Sequence, residues 1–211
     1  MAPSLRVERA LLREVRSGAV LAAIDEVGRG ALAGPVAVGV VIIDTESRSA
    51  PQGVRDSKDL DPATRERLAP RVRTWARHSA VGLATSDEID SVGIIGALAL
   101  AASRGVNATG AEPDIVLLDG KHDWLSRVAP RSRVVTRIKA DSTCASVAAA
   151  SIIAKVARDA HMVRLAALAP QYAWDSNKGY AAPEHVAALQ AHGPSRWHRV
   201  TWQLPGVQPR S

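Results

Sequence analysis

The stretch that decides the fold is AVLAAIDEVGRGALAGPVAVGVVIID, residues 19–44. Residues 19–24 and 36–43 are apolar, β-branched runs bounded by glycines, the pattern of buried strands. An acidic pair, Asp25-Glu26, and a Gly-Arg-Gly turn, Gly28-Arg29-Gly30, interrupt them. Upstream, Leu5, Leu11, Leu12 and Val15 among charges predict an amphipathic helix over 5–17, closed by Gly18. Downstream, Asp61-Pro62 is a helix start with Asp as N-cap and Pro in the first position. That helix should reach about residue 77 and bury Leu68, Val72 and Trp75. Residues 80–84 read as a third strand, followed by a helix capped by Ser86-Asp87-Glu88 that runs to about 106. A fourth strand, 115–118, stops at Asp119-Gly120, and a fifth, 133–138, ends near Asp141. A long Ala-rich helix follows over 145–169, then a final helix of about ten residues opened by Pro183. Five strands with interleaved helices predict an α/β fold on a mixed sheet. Residues 1–170 make its body, and 171–211 make a small helical appendage that is not an independent domain.

The composition is that of a globular chain. Of 211 residues, 46% are hydrophobic and 23% charged, which excludes wholesale disorder. A lone cysteine, Cys144, excludes a disulfide framework and suits a reducing compartment. The longest uncharged apolar stretch, 31–43, is too short to span a bilayer, and the N-terminus lacks a signal-peptide core. A cytoplasmic protein with no membrane partner is expected. The net charge of +6, carried by 22 Arg and 5 Lys, favours a polyanionic partner, nucleic acid above all. Genomic base composition explains Arg over Lys, but not the excess of cations.

Four carboxylates, Asp25, Glu26, Asp119 and Asp141, stand at or just beyond the ends of apolar runs. Strand ends of an open α/β sheet are where side chains from separate elements converge. Oxygen ligands suit Mg2+ or Mn2+, and no Cys/His cluster suggests zinc. Acids packed together repel one another and take up protons unless a cation relieves them. Two such ions could activate a water and stabilise the leaving oxygen of a phosphodiester. One geometric demand follows. Neighbours on a regular strand face opposite ways, so the chain must bend if Asp25 and Glu26 are to share an ion.

Residues 23–36, AIDEVGRGALAGPV, closely resemble the opening motif of the type 2 ribonucleases H, bacterial ribonuclease HII in particular. Asp56-Ser57-Lys58-Asp59-Leu60, Leu118-Asp119-Gly120, Ala140-Asp141-Ser142 with the helix from Ser146 to Asp159, Asn177-Lys178-Gly179-Tyr180, and Gly193-Pro194-Ser195 with His198-Arg199 resemble later family segments in the family's order. The resemblance implies a ribonuclease H-like fold with a mixed five-stranded sheet flanked by helices. It implies a divalent-metal endonuclease acting on RNA–DNA hybrid duplexes and on DNA duplexes with embedded ribonucleotides, cutting 5′ to the ribonucleotide. The cut would leave 3′-hydroxyl and 5′-phosphate ends. Asp25, Glu26, Asp119 and Asp141 would be the catalytic, metal-binding acids, with Mg2+ or Mn2+ as cofactor. Gly28, Arg29 and Gly30 would meet the ribose 2′-hydroxyl, and Tyr180 would stack beside the following deoxyribose.

Lys58, Lys178, Ser142, Ser146 and Arg199 are candidates for phosphate contacts, which position a duplex without reading its sequence. Lys178 and Ser146 rank above the others because they fall inside matched motifs. His122 reads as a surface-turn histidine, His198 as a tie between tail and core, and Cys144 as a buried small residue. A silent binding module on the same fold would have lost an acid. A junction resolvase would not need the Gly-Arg-Gly and Lys-Gly-Tyr motifs, and a purely structural protein would not need four acids at strand ends. A monomer is expected, with no sliding-clamp peptide and no N-terminal extension of the ribonuclease HIII kind.

Overall fold

The computed structural model describes residues 2–126 and 131–207. Among them five strands form one sheet: β1 (Val20–Val27), β2 (Val36–Asp44), β3 (His78–Ala84), β4 (Ile115–Asp119) and β5 (Arg133–Arg137). Their order is β3-β2-β1-β4-β5. β2 is antiparallel to β1 and β3, whereas β4 runs parallel to β1, and β5 parallel to β4. Every strand falls on the run expected for it. The helices are α1 (Arg6–Arg13), α2 (Pro62–Trp75), α3 (Ser86–Thr109), α4 (Ala140–Thr143), α5 (Ala145–Leu168), α6 (Trp174–Asn177) and α7 (Pro183–His192).

Strand alternation divides the core in two. Leu21, Ala23, Ile115 and Leu117 face α1, α2 and α5. Ala22, Ile24, Val116 and Leu118 point the other way, into the layer closed by α3. A third cluster joins Met162 and Leu165 of α5 to Tyr172, Trp174 and Leu189 of the C-terminal segment, and to Leu32 just past the Gly-Arg-Gly turn.

Several boundaries differ from expectation, each for a local reason. β1 continues through the acidic pair to Val27, because Asp25, Glu26 and Val27 keep their ladder partners Gly39, Val38 and Ala37 on β2. β5 stops at Arg137, and Asp141 stands in the first turn of α4, entered through Lys139 at φ 56°. Thr85, not Ser86, caps α3; its hydroxyl and the Glu88 carboxylate make a reciprocal capping box. α1 ends at Arg13, short of Gly18. Trp75 is half-buried, its ring N–H donating to the Arg48 carbonyl at 2.8 Å. α3 extends to Thr109 and breaks once, at Gly93 (φ 72°, ψ 166°). By length and mean hydropathy (1.4) α3 could cross a membrane, contrary to the expectation that no segment would; here its inner face is sealed against β2 and β3.

Candidate active site

Asp25 and Asp119 meet on one face of the sheet. The pairing of β1 with β4 sets Ile24 beside Leu118, so the next residues, Asp25 and Asp119, are level on neighbouring parallel strands. Asp119 Oδ1 accepts a hydrogen bond from the Ala140 N–H at 2.6 Å, which pins the entry of α4 and carries Asp141 towards both. Asp25 and Asp141 are only 7% and 5% exposed. Burial, then the charges of Glu26, Asp119 and Asp141, push the Asp25 carboxyl well above the usual range. Burial and the neighbouring Asp119 and Asp56 carry Asp141 up to about 6. Lys58 Nζ lies 3.9 Å from Asp141 Oδ2. Burial would lower its ammonium, but Asp56, Asp25, Asp141 and Asp119 outweigh that and raise it.

Glu26 stands apart. β1 does not bend before Val27, so Glu26 shares the face of Ala22 and Ile24 rather than that of Asp25. Arg29 reaches one of its oxygens at 3.6 Å. The other, Oε2, is buried without a hydrogen-bond partner. Burial and Asp119 raise the Glu26 carboxyl, with Arg29 opposing them. Among the described residues no three His, Cys, Asp or Glu side chains form a ready-made coordination shell. The all-oxygen donor set, the crowded buried carboxyls and the orphaned Oε2 nonetheless suit a hard divalent cation.

Beyond β1 the chain turns through Gly28-Arg29-Gly30. Backbone hydrogen bonds tie this turn to the loop carrying Tyr180: the N–H groups of Leu32 and Ala33 both donate to the Gly179 carbonyl, at 2.8 and 3.2 Å. The two glycines of the turn differ in their surroundings. Gly28 has φ +84°, and a Cβ there would lie 2.0 Å from Arg158 Nε, whereas a Cβ on Gly30 would meet nothing within 4 Å. The fold therefore requires glycine at 28. At 30 it leaves open space.

A family model for ribonuclease HII matches residues 22–204. The chain belongs to the ribonuclease HII family. Ribonuclease HII of Streptomyces avermitilis is 46% identical over 208 residues, covering 99% of this chain and 87% of the relative. That of Nitrosococcus oceani is 44% identical over 186 residues, covering 88% and 90%. The structure of ribonuclease H2 from Pyrococcus horikoshii OT3 superposes with a TM-score of 0.73 at 27% identity, covering 88% of this chain and 95% of that one. Bst-RNase HIII in complex with Mn2+ shares the fold, with a TM-score of 0.68 at 22% identity over 93% of this chain and 71% of that one. Family and fold together make the protein a type 2 ribonuclease H, a hydrolase of RNA–DNA hybrids.

The residues expected to serve this ribonuclease fall into two groups. Asp25, Asp119 and Asp141 converge with Lys58, and Glu26, Gly28, Arg29 and Gly30 border them on β1 and the turn beyond it. Tyr180 is half-exposed, and Lys178 Nζ donates to the Asp175 carbonyl. Ser142 is exposed beside Asp141, its hydroxyl 3.3 Å from Oδ1. Ser146 and Arg199 are corrections. Ser146 is fully buried, its N–H and hydroxyl both donating to Glu8 Oε1, at 3.0 and 2.7 Å, so it faces no duplex. Arg199 is fully buried as well, because backbone carbonyls occupy its guanidinium. Among the residues read as bystanders, Cys144 is buried and His122 exposed as expected, while His198 is buried against His185. Sequence reasoning passed over Arg158, Glu8 and His185. Each is a polar residue in a helix, where a polar side chain ordinarily reads as solvated, and only its burial reveals it. The last four tail residues, part of the stretch in which no clamp peptide was recognised, lie outside the described residues.

Proposed function

We propose that the protein is a divalent-metal-dependent endoribonuclease that cuts the RNA strand of RNA–DNA hybrids and incises duplex DNA 5′ to a single embedded ribonucleotide. The products carry 3′-hydroxyl and 5′-phosphate ends, as removal of ribonucleotides from DNA requires. One observation carries the reading: Asp25 and Asp119 lie level on paired strands, the Ala140–Asp119 hydrogen bond carries Asp141 towards them, and Asp25 and Asp141 are buried. Acids crowded in this way either take up protons or are relieved by a cation, and an all-oxygen cluster at the strand ends favours the cation.

Asp25, Asp119 and Asp141 would hold Mg2+ or Mn2+, and Glu26, whose Oε2 is buried without a partner, would supply a further carboxylate oxygen. The ion supplies Lewis acidity to the scissile phosphate and a nucleophile at neutral pH. Lys58, beside Asp141 and 78% exposed at its side chain, meets a neighbouring phosphate. Gly30 lets the backbone approach the sugar whose 2′-hydroxyl alone distinguishes a lone ribonucleotide. The Tyr180 ring packs against the deoxyribose that follows, where a 2′-hydroxyl would crowd it.

The test is cleavage of an end-labelled DNA duplex containing one ribonucleotide, with Mg2+, with Mn2+ and with chelator, beside an all-DNA duplex and an RNA–DNA hybrid. We expect a metal-dependent cut 5′ to the ribonucleotide and none in all-DNA. Tight binding without cutting in either metal would replace this reading with a silent binding module.

A further inference from the structure

Two arginines, Arg158 of α5 and Arg199 of the C-terminal segment, are fully buried, and neither forms an ion pair among the described residues. Burying a cation without a carboxylate is costly, and an apolar side chain would fill the same space without that cost. Their hydrogen bonds show what they do instead. Arg199 donates to the carbonyls of Gly28 (2.6 Å), Arg29 (2.8 Å) and Gly34 (3.2 Å). Arg158 donates to the carbonyls of Pro35 (2.9 Å), Ala33 (3.3 Å) and Lys178 (2.9 Å). The Arg199 N–H adds the Leu32 carbonyl at 3.0 Å. Around the turn from 28 to 35, six carbonyls are thus held by two residues, and Gly30 takes part in none of these bonds.

Arg158 touches both loops at once. Its Nε packs where a Cβ of Gly28 would stand, and its guanidinium carbon lies 5.3 Å from the centre of the Tyr180 ring. A planar fork of five donors can hold several carbonyls in fixed directions, which a lysine ammonium cannot. We propose that Arg158 and Arg199 form a buried clamp that fixes the Gly28–Gly30 turn and the Tyr180 ring relative to each other, and so set how sharply the enzyme distinguishes a ribose followed by a deoxyribose from continuous RNA. Both are positioning residues. They act through Gly30 and Tyr180 and reach no substrate themselves. The inference rests on the junction-reading role proposed above.

The test compares wild type, Arg158→Lys and Arg199→Lys for kcat and KM on the single-ribonucleotide duplex and on an RNA–DNA hybrid. Lysine keeps the charge and loses the fork. We expect each variant to lose about ten-fold more kcat/KM on the single-ribonucleotide duplex than on the hybrid, chiefly in kcat, since small misplacements of a positioned site cost rate. Equal losses on both substrates, following the drop in Tm, would reduce the clamp to a purely structural role and overturn the inference. Should a lysine variant not fold, Arg158→Gln, whose side-chain amide keeps a planar donor without the buried charge, tests the same contact and is expected to show the same selective loss. The double variant Arg158→Lys/Arg199→Lys should lose less than the product of the single losses, because both arginines hold one turn; independent losses would count against the clamp. Failure of the wild type to incise the single-ribonucleotide duplex would sink the functional reading itself. Incision by the wild type, with selectivity unchanged in the variants, would sink only the clamp.

Discussion

Asp119 has two roles that a single substitution separates. Its Oδ1 holds the Ala140 N–H at 2.6 Å, and its charge helps to raise Asp25 and Asp141. Asn at this position keeps an acceptor for Ala140 and loses the charge. Asp119→Asn should therefore fold with an unchanged or slightly higher Tm in chelator and bind an RNA–DNA duplex as before. Its cleavage should fall by more than about a hundred-fold, the scale of losing one charged contact to the reacting group. Near-normal turnover would remove Asp119 from the catalytic set. At this scale the sequence was informative about chemistry and poor about geometry. Carboxylates at the ends of apolar runs announce themselves, and Asp25 and Asp119 do lie level on paired strands. That Glu26 faces away from Asp25 follows from the ladder continuing to Val27, which no residue type in the motif signals. Nor does an arginine in a helical pattern declare itself buried, as Arg158 shows.

The two long helices reach the sheet through glycines. On β2, a Cβ at Gly39 would stand 2.2 Å from the Ala150 carbonyl oxygen of α5, and on β3, one at Gly82 would stand 1.8 Å from the Ala101 carbonyl oxygen of α3. The obstacle in each case is helix backbone, which cannot turn aside as a side chain can. Overpacking a core commonly costs about 1–3 kcal/mol, and backbone contacts this close belong at or above the upper end. Gly82→Ala should lower stability by about 3 kcal/mol in urea unfolding while leaving the acids in place, since β3 lies two strands away from the edge shared by β1 and β4. Gly39→Ala should cost a similar amount and also depress cleavage, because Gly39 is the ladder partner of Asp25 and α5 carries Arg158. A Gly39 variant as active as Gly82→Ala would argue against that coupling. The strands themselves were legible because their apolar runs are bounded by glycines and turns. The close helix approach was not, since a glycine inside a strand pattern reads equally as a bulge.

Over the whole molecule, the C-terminal segment is held together from within by neutral histidines. His198 Nδ1 accepts from the Ser195 N–H at 2.9 Å, so in the neutral ring the proton lies on Nε2, which points at His185 Nε2 3.0 Å away. That nitrogen also accepts from the Trp174 ring N–H at 3.1 Å, which leaves the His185 proton on Nδ1 to donate to the Tyr180 carbonyl at 2.8 Å. Each proton has one place, and an added one would set two donors face to face. Burial, then the neighbouring His185, accordingly pulls His198 down from 6.5 to about 4. Burial lowers His185 too. A histidine depressed in the fold contributes stability that is complete above about pH 6.5 and is lost as pH falls towards the folded value, because the unfolded chain takes the proton first. For His198, 1% exposed, the loss amounts to about 3 kcal/mol across that window. Glu8, raised by burial, works in the opposite direction, since a carboxyl raised in the fold favours the folded state as pH falls. The histidine effect is therefore read as a difference. Urea unfolding at pH 7, 6, 5 and 4.5 should show the wild type losing stability more steeply than His198→Asn, whose side-chain carbonyl can still accept from the Ser195 N–H. Parallel pH profiles for the two proteins would mean that His198 takes its proton in the fold as readily as in the unfolded chain, and the lock would have to be rebuilt on a different arrangement of protons.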